Sequence, residues 1–90
     1  MAMRYIKTLT VKNKTFEIVK DSRGYWAIED KYFTDGKLNK EVNGITGHLR
    51  DTLKGCIETA TISAEIDYLI NVENWDPTDA IEEVIFGKDQ

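Results

Sequence analysis

Chemistry in a short chain begins with its nucleophiles and bases, and this one holds a single Cys, Cys56, and a single His, His48. Nucleophilic catalysis needs a nucleophile held by a positioned base. If both lie on one helix, their spacing of eight residues sets them ~80° apart in azimuth and ~12 Å apart along the axis, outside hydrogen-bond reach. Cys56 therefore reads as a small buried hydrophobe, and His48, beside Gly47, as a helix-start or loop residue. Carboxylates are plentiful, but Asp76 and Asp79 stand where a helix start wants them, and the adjacent Glu82 and Glu83 diverge on a helix surface. Asp35-Gly36-Lys37 opens like a calcium loop and lacks its alternating acidic ligands and closing Glu. One Cys makes no internal disulfide, and no Cys/His cluster has the spacing of structural zinc. The phosphate-loop, dinucleotide and nucleophile-elbow glycine patterns are absent. The expectation is a non-enzymatic protein with no catalytic residue, no metal and no cofactor.

Binding offers more material. Residues 1–40 hold nine Lys/Arg against five acids, a local charge of +4, whereas residues 41–90 hold three against eleven, a local charge of −8. Such a division arises when two halves of one domain attract each other, and also when a polar partner is recognised. In the basic half, Arg23, Tyr25, Trp26, Lys31, Tyr32 and Phe33 mix cations with rings of the kind that meet a protein partner or stack on unpaired bases. In the acidic half, Asp67, Glu73, Asp76, Asp79, Glu82 and Glu83 suit a face that occupies the nucleic-acid groove of another protein.

The elements that must position these residues follow from hydrophobic period. At 90 residues, 41% apolar and 31% charged, the chain suits one domain spanning 1–90, since a second core would not fit. Strands are expected over about 3–12, 15–20 and 25–30. Tyr5, Leu9 and Val11 fall on one side of the first pleat, with Thr8 and Thr10 opposite. Lys12-Asn13-Lys14 forms a tight turn in which Asn tolerates the left-handed conformation, and Asp21-Ser22-Arg23-Gly24 forms a second in which Gly supplies positive φ. The alternation across Tyr25-Trp26-Ala27-Ile28 demands at least one aromatic for the core without deciding between Tyr25 and Trp26. Residues 30–48 carry turn signals at Asp35-Gly36, Asn43-Gly44 and Gly47 and only Leu38 and Val42 as hints of order.

From Leu49 the period becomes helical: Leu49, Leu53, Cys56, Ile57, Ala60, Ala64 and Tyr68 share a ~120° stripe, predicting a helix over about 49–71 capped by Asp51 or Thr46. Alternation over 60–70 offers a rival strand, but eleven residues exceed the usual ~5–6 of a strand. Ile62, Ile66 and Leu69 form a second apolar stripe suited to a covering helix or to self-association. Asp76-Pro77-Thr78-Asp79 starts a last helix over about 77–86, with Ala80, Ile81, Val84 and Ile85 as its apolar stripe folding back on the first helix. The fold class is therefore α+β: a three- to four-stranded antiparallel β-meander covered by one long helix, then a short C-terminal helix.

The opening Met1–Ile6 lacks the apolar stretch of a secretion signal, and no run approaches the ~20 apolar residues of a membrane span. The expected setting is cytoplasmic, without a membrane. The favoured function is a small protein-interaction or accessory module that binds a protein partner or forms a homodimer, with Arg23, Tyr25, Trp26, Lys31, Tyr32 and Phe33 as its surface. The alternatives are a nucleic-acid-binding domain using the basic sheet, and an acidic inhibitor of a nucleic-acid enzyme.

Overall fold

The computed structural model of the chain describes residues 3–34, 37–38 and 47–87. Strands β1 (Arg4–Val11), β2 (Lys14–Asp21) and β3 (Gly24–Glu29) form a meander, followed by a 3₁₀ turn (Asp30–Tyr32) and the short strands β4 (Phe33–Thr34) and β5 (Lys37–Leu38). Strand β6 (Gly47–Arg50) leads into helix α1 (Leu53–Asn71), and α2 (Pro77–Phe86) closes the fold. The main sheet is antiparallel in the order β1-β2-β3-β6, and β4 and β5 pair as a separate antiparallel hairpin. This is the expected α+β arrangement.

Both turns of the meander are built locally. Val11 pairs with Lys14 across a two-residue turn, and Lys12, rather than the expected Asn13, takes the left-handed backbone at φ 56°. Gly24 holds φ 145°, and a Cβ there would stand 2.7 Å from the Arg50 carbonyl oxygen of β6, so close strand approach and backbone conformation both require glycine.

The first pleat differs from a simple alternation. The register slips between Tyr5 and Lys7, inserting one extra residue, Ile6. A bulge of this kind moves everything before it to the other face. Ile6 accordingly joins Leu9 and Val11 on the helix side, while Tyr5 departs from that side, is 58% exposed and exchanges a 2.7 Å hydroxyl hydrogen bond with Thr8.

Helix α1 begins at Leu53, four residues later than expected, because Gly47–Arg50 pairs with β3 as the fourth strand: Ala27 faces His48 and Trp26 faces Leu49. Leu49 thus belongs to the sheet and not to the helical stripe. Thr52 provides the cap in place of Asp51 or Thr46, its side chain accepting from the Gly55 backbone N–H at 3.0 Å. Asp76 caps α2, accepting from the Thr78 N–H at 3.1 Å, and Pro77 occupies the first turn.

Two hydrophobic layers result. On one face Phe16, Ile18 and Ala27 meet Cys56, Ala60 and Ala64 of α1, all buried. Small residues at positions i, i+4 and i+8 let the helix backbone approach the pleat closely. On the other face Val19, Trp26 and Ile28 are covered by half-buried Tyr32, Phe33, Leu38 and Leu49. Tyr32, Phe33 and Leu38 thus serve as a cover, while Asp35, Gly36, Val42, Asn43 and Gly44 lie outside the described residues.

Replacing Ala60 by Leu should overpack this contact and lower stability in urea by about 1–3 kcal/mol, whereas Ile62→Ser on the exposed side of the same helix should shift it by no more than about 0.5 kcal/mol. Equal effects would contradict the assigned helix face.

Candidate functional site

The lone His and the lone Cys do meet, but not through reactive groups. With His48 on β6 and Cys56 on α1, the Cys56 thiol points at the His48 backbone oxygen at 3.9 Å. Burial pushes the Cys56 thiol pKa up and the His48 imidazole down, the nearby Arg50 adding to the His48 shift. His48 packs its ring at 6.4 Å from Phe16. Neither a thiolate nor a paired base results. Among the described residues no three His, Cys, Asp or Glu side chains converge in a metal-binding group, and no helix is long and apolar enough to cross a membrane.

The basic, aromatic set is distributed over both faces of the sheet. Trp26 is only 3% exposed and sits in the second hydrophobic layer, while its neighbour Tyr25 lies half-buried on the opposite, helix-covered face with Lys20 over its ring at 5.4 Å. Tyr32 and Phe33 pack against the Trp26 layer. Lys31 lies over the Tyr32 ring at 5.4 Å and 3.8 Å from Glu29. Arg23, Trp26, Lys31, Tyr32 and Phe33 therefore share one side, and Tyr25 does not.

Within that group, Arg23 and Trp26 are engaged by a residue that periodicity does not single out. Asp21, 6% exposed, accepts from the Arg23 backbone N–H at 2.8 Å, from its Nε at 3.0 Å and Nη2 at 2.6 Å, and from Trp26 Nε1 at 3.1 Å. The guanidinium then lies 4.7 Å over the Trp26 ring. Burial opposes the charge on Asp21, but these hydrogen bonds and the Arg23 charge outweigh it and hold the carboxyl below its ordinary pKa. The only signal for this cluster was the turn itself, since an Asp two residues before an Arg amide forms a side-chain-capped turn. Beside the cluster, a cleft of about 560 Å³ opens on the second face, lined by Met3, Tyr5, Glu17, Val19, Phe33, Lys37 and Leu38.

The second helical stripe is less covered than its sequence requires. Ile62 is exposed, Ile66 and Leu69 are half-buried, and Leu69 borders a small gap with Val84 of α2. Helix α2 buries only Ala80 and Val84. Ile81 and Ile85, expected on the same buried stripe, are 41% and 44% exposed. The reason is angular: Ile81 and Ile85 stand ~100° from Ala80 and Val84 around the helix, and a single neighbouring helix covers a narrower arc. Phe86, Val72 and Trp75 are exposed as well.

Electrostatics separates the two regions further. The ion pairs among the described residues are Lys14 with Glu29 and Asp67, Arg23 with Asp21, and Lys31 with Glu29. Lys14–Asp67, at 3.0 Å, joins the basic half to the acidic one. Burial disfavours the Lys14 charge, yet its two carboxylate partners outweigh that and raise its pKa.

No protein-family model matches the chain, and no curated protein and no solved structure matches it. Geometry alone carries the functional argument.

The folded-state pKa of Asp21 lies below its unfolded value, so its contribution to stability is complete above the unfolded pKa near ~4 and disappears as pH falls through the folded value. Asp21→Asn should lower stability by about 1–3 kcal/mol at pH 7, with the gap to wild type closing as urea titrations move below pH ~4. A gap independent of pH would contradict the charged cluster.

Proposed function

We propose that this chain is a non-enzymatic protein-interaction module that engages its partner through the outer side of its two helices. The observation that carries this reading is the placement of exposed apolar side chains. Among the described residues, the exposed large hydrophobics are Met3, Tyr5, Ile62, Val72, Trp75, Ile81, Ile85 and Phe86, six of them on α1, α2 or their connection. Apolar surface concentrated in this way gains free energy when a second surface removes it from water.

The alternatives have less support. A nucleic-acid site on the basic sheet would use several rings free to stack, whereas Trp26 is buried, Tyr25 faces the helix, and Tyr5 is the one exposed ring of that half among the described residues. An acidic face that replaces nucleic acid in a groove accounts for Asp79, Glu82 and Glu83, but not for the exposed Ile81, Ile85 and Phe86 interleaved with them. A homodimer through Ile62, Ile66 and Leu69 would bring two copies of the acidic half toward each other, which opposes two-fold pairing at low salt.

A photo-reactive residue placed at Ile85, or separately at Tyr32, tests the assignment in cells that express the chain. A discrete protein adduct formed from position 85 and not from position 32 is the expected result. Adducts from position 32 alone would move the surface to the aromatic side of the sheet, and none from either would remove the interaction reading.

A further inference from the structure

We propose that the surface on α2 receives a cationic amphipathic helix of a partner protein, an inference that rests on the reading of the helical layer as a docking surface. Between residues 55 and 87 the chain contains eight Asp/Glu and no Lys, Arg or His. Of these acids, Asp67 is paired with Lys14 at 3.0 Å. Asp76 is engaged as the α2 cap. Asp79, Glu82 and Glu83 remain on the exposed side of a ten-residue helix, with no ion pair among the described residues.

Charge and apolar surface are arranged side by side. At ~100° per residue, Ile81 and Ile85 occupy one flank of α2, and Glu82, Phe86, Asp79 and Glu83 follow around the exposed arc opposite Ala80 and Val84. A cleft of about 480 Å³ lies among Asp79, Glu82, Glu83, Phe86 and Gly87. Three carboxylates beside an aromatic ring suit a Lys or Arg head, which would gain both ion pairing and contact with the ring face. A Cβ at Gly87 would stand 3.2 Å from the Glu83 carboxyl carbon, so the Glu83 side chain borders the cleft closely there. The complementary surface is therefore an apolar stripe flanked by cations, which is what a basic amphipathic helix presents. A second copy meeting this surface through its own α2 would oppose acid to acid.

The probe is a synthetic Leu/Lys peptide of ~18 residues with its leucines at helical spacing, titrated calorimetrically against the full chain at about 50 and 300 mM NaCl. Saturable one-to-one binding is expected, weakening at higher salt and falling at least ~10-fold both for Ile81→Ser/Ile85→Ser and for Glu82→Gln/Glu83→Gln. A scrambled peptide of the same composition should bind at least ~10-fold more weakly, because its leucines no longer share a face. Absence of saturation, equal binding of the scrambled peptide, or indifference to both double variants would overturn the proposal. If the isoleucine variant loses its fold by circular dichroism, the exposed glutamate variant decides. A dimer by sedimentation that is lost in the same variants would also overturn it, replacing the cationic helix by a second copy. Should a native protein crosslink at Ile85 while the peptide fails to bind, the docking surface stands and only its cationic partner falls; failure at both removes the two together.

Discussion

Strand β3 sends Tyr25 and Ala27 to one face of the sheet and Trp26 and Ile28 to the other, and it lies between β2 and β6. A central strand apolar on both sides requires two covers, and the rest of the molecule is arranged to supply them. Helix α1 covers the first face through a line of small residues, so its larger apolar side chains at Ile62, Ile66 and Leu69 point elsewhere. Tyr32, Phe33, Leu38 and Leu49 of β6 cover the second. Each cover consumes hydrophobic residues that would otherwise be free to bind, including most of the aromatic side chains of the basic half. Among the described residues, most of the large apolar side chains that remain exposed lie on the far side of the helical layer, with Met3 and Tyr5 the exceptions.

The cations follow the same logic. Arg23 is taken up by Asp21 and the Trp26 ring, and Lys14 ties the start of β2 to Glu29 and to Asp67 of α1. Lys12 lies over the Tyr68 ring at 5.4 Å, so the β1–β2 turn is pinned to the helix by two lysines. These contacts use positive charge to assemble the sheet and dock α1, and among the described residues none of them reaches the carboxylates of α2. On the proposed reading, sheet and helices have different roles: one provides the scaffold, and the other provides surface.

Much of this architecture was legible in the residues. The meander follows from period-two alternation and two turn signals, and both helices follow from their stripes and from Asp76-Pro77. Residues 47–50 were not legible as a strand, because His48-Leu49-Arg50 is too short for alternation to show and Leu49 happens to extend the 3.6-residue stripe of α1. Tyr5 was misplaced because a bulge inserts one residue without changing composition. The candidate surface was harder. Proximity of Arg23, Tyr25, Trp26, Tyr32 and Phe33 in sequence does not reveal that a pleat sends Tyr25 and Trp26 to opposite faces, or that Asp21 waits beneath the arginine. Conversely, Ile81 and Ile85 read as core by spacing alone, and only the width of the arc that α1 covers shows them left in solvent.

On the proposed reading, binding happens on the helical layer while the sheet serves mainly in folding. Hydrogen–deuterium exchange on the chain, alone and bound to its native partner, reads this directly. Slowed exchange confined to residues 72–87 and the outer face of α1 is the predicted footprint. Protection centred on residues 23–33, with α2 unchanged, would contradict it.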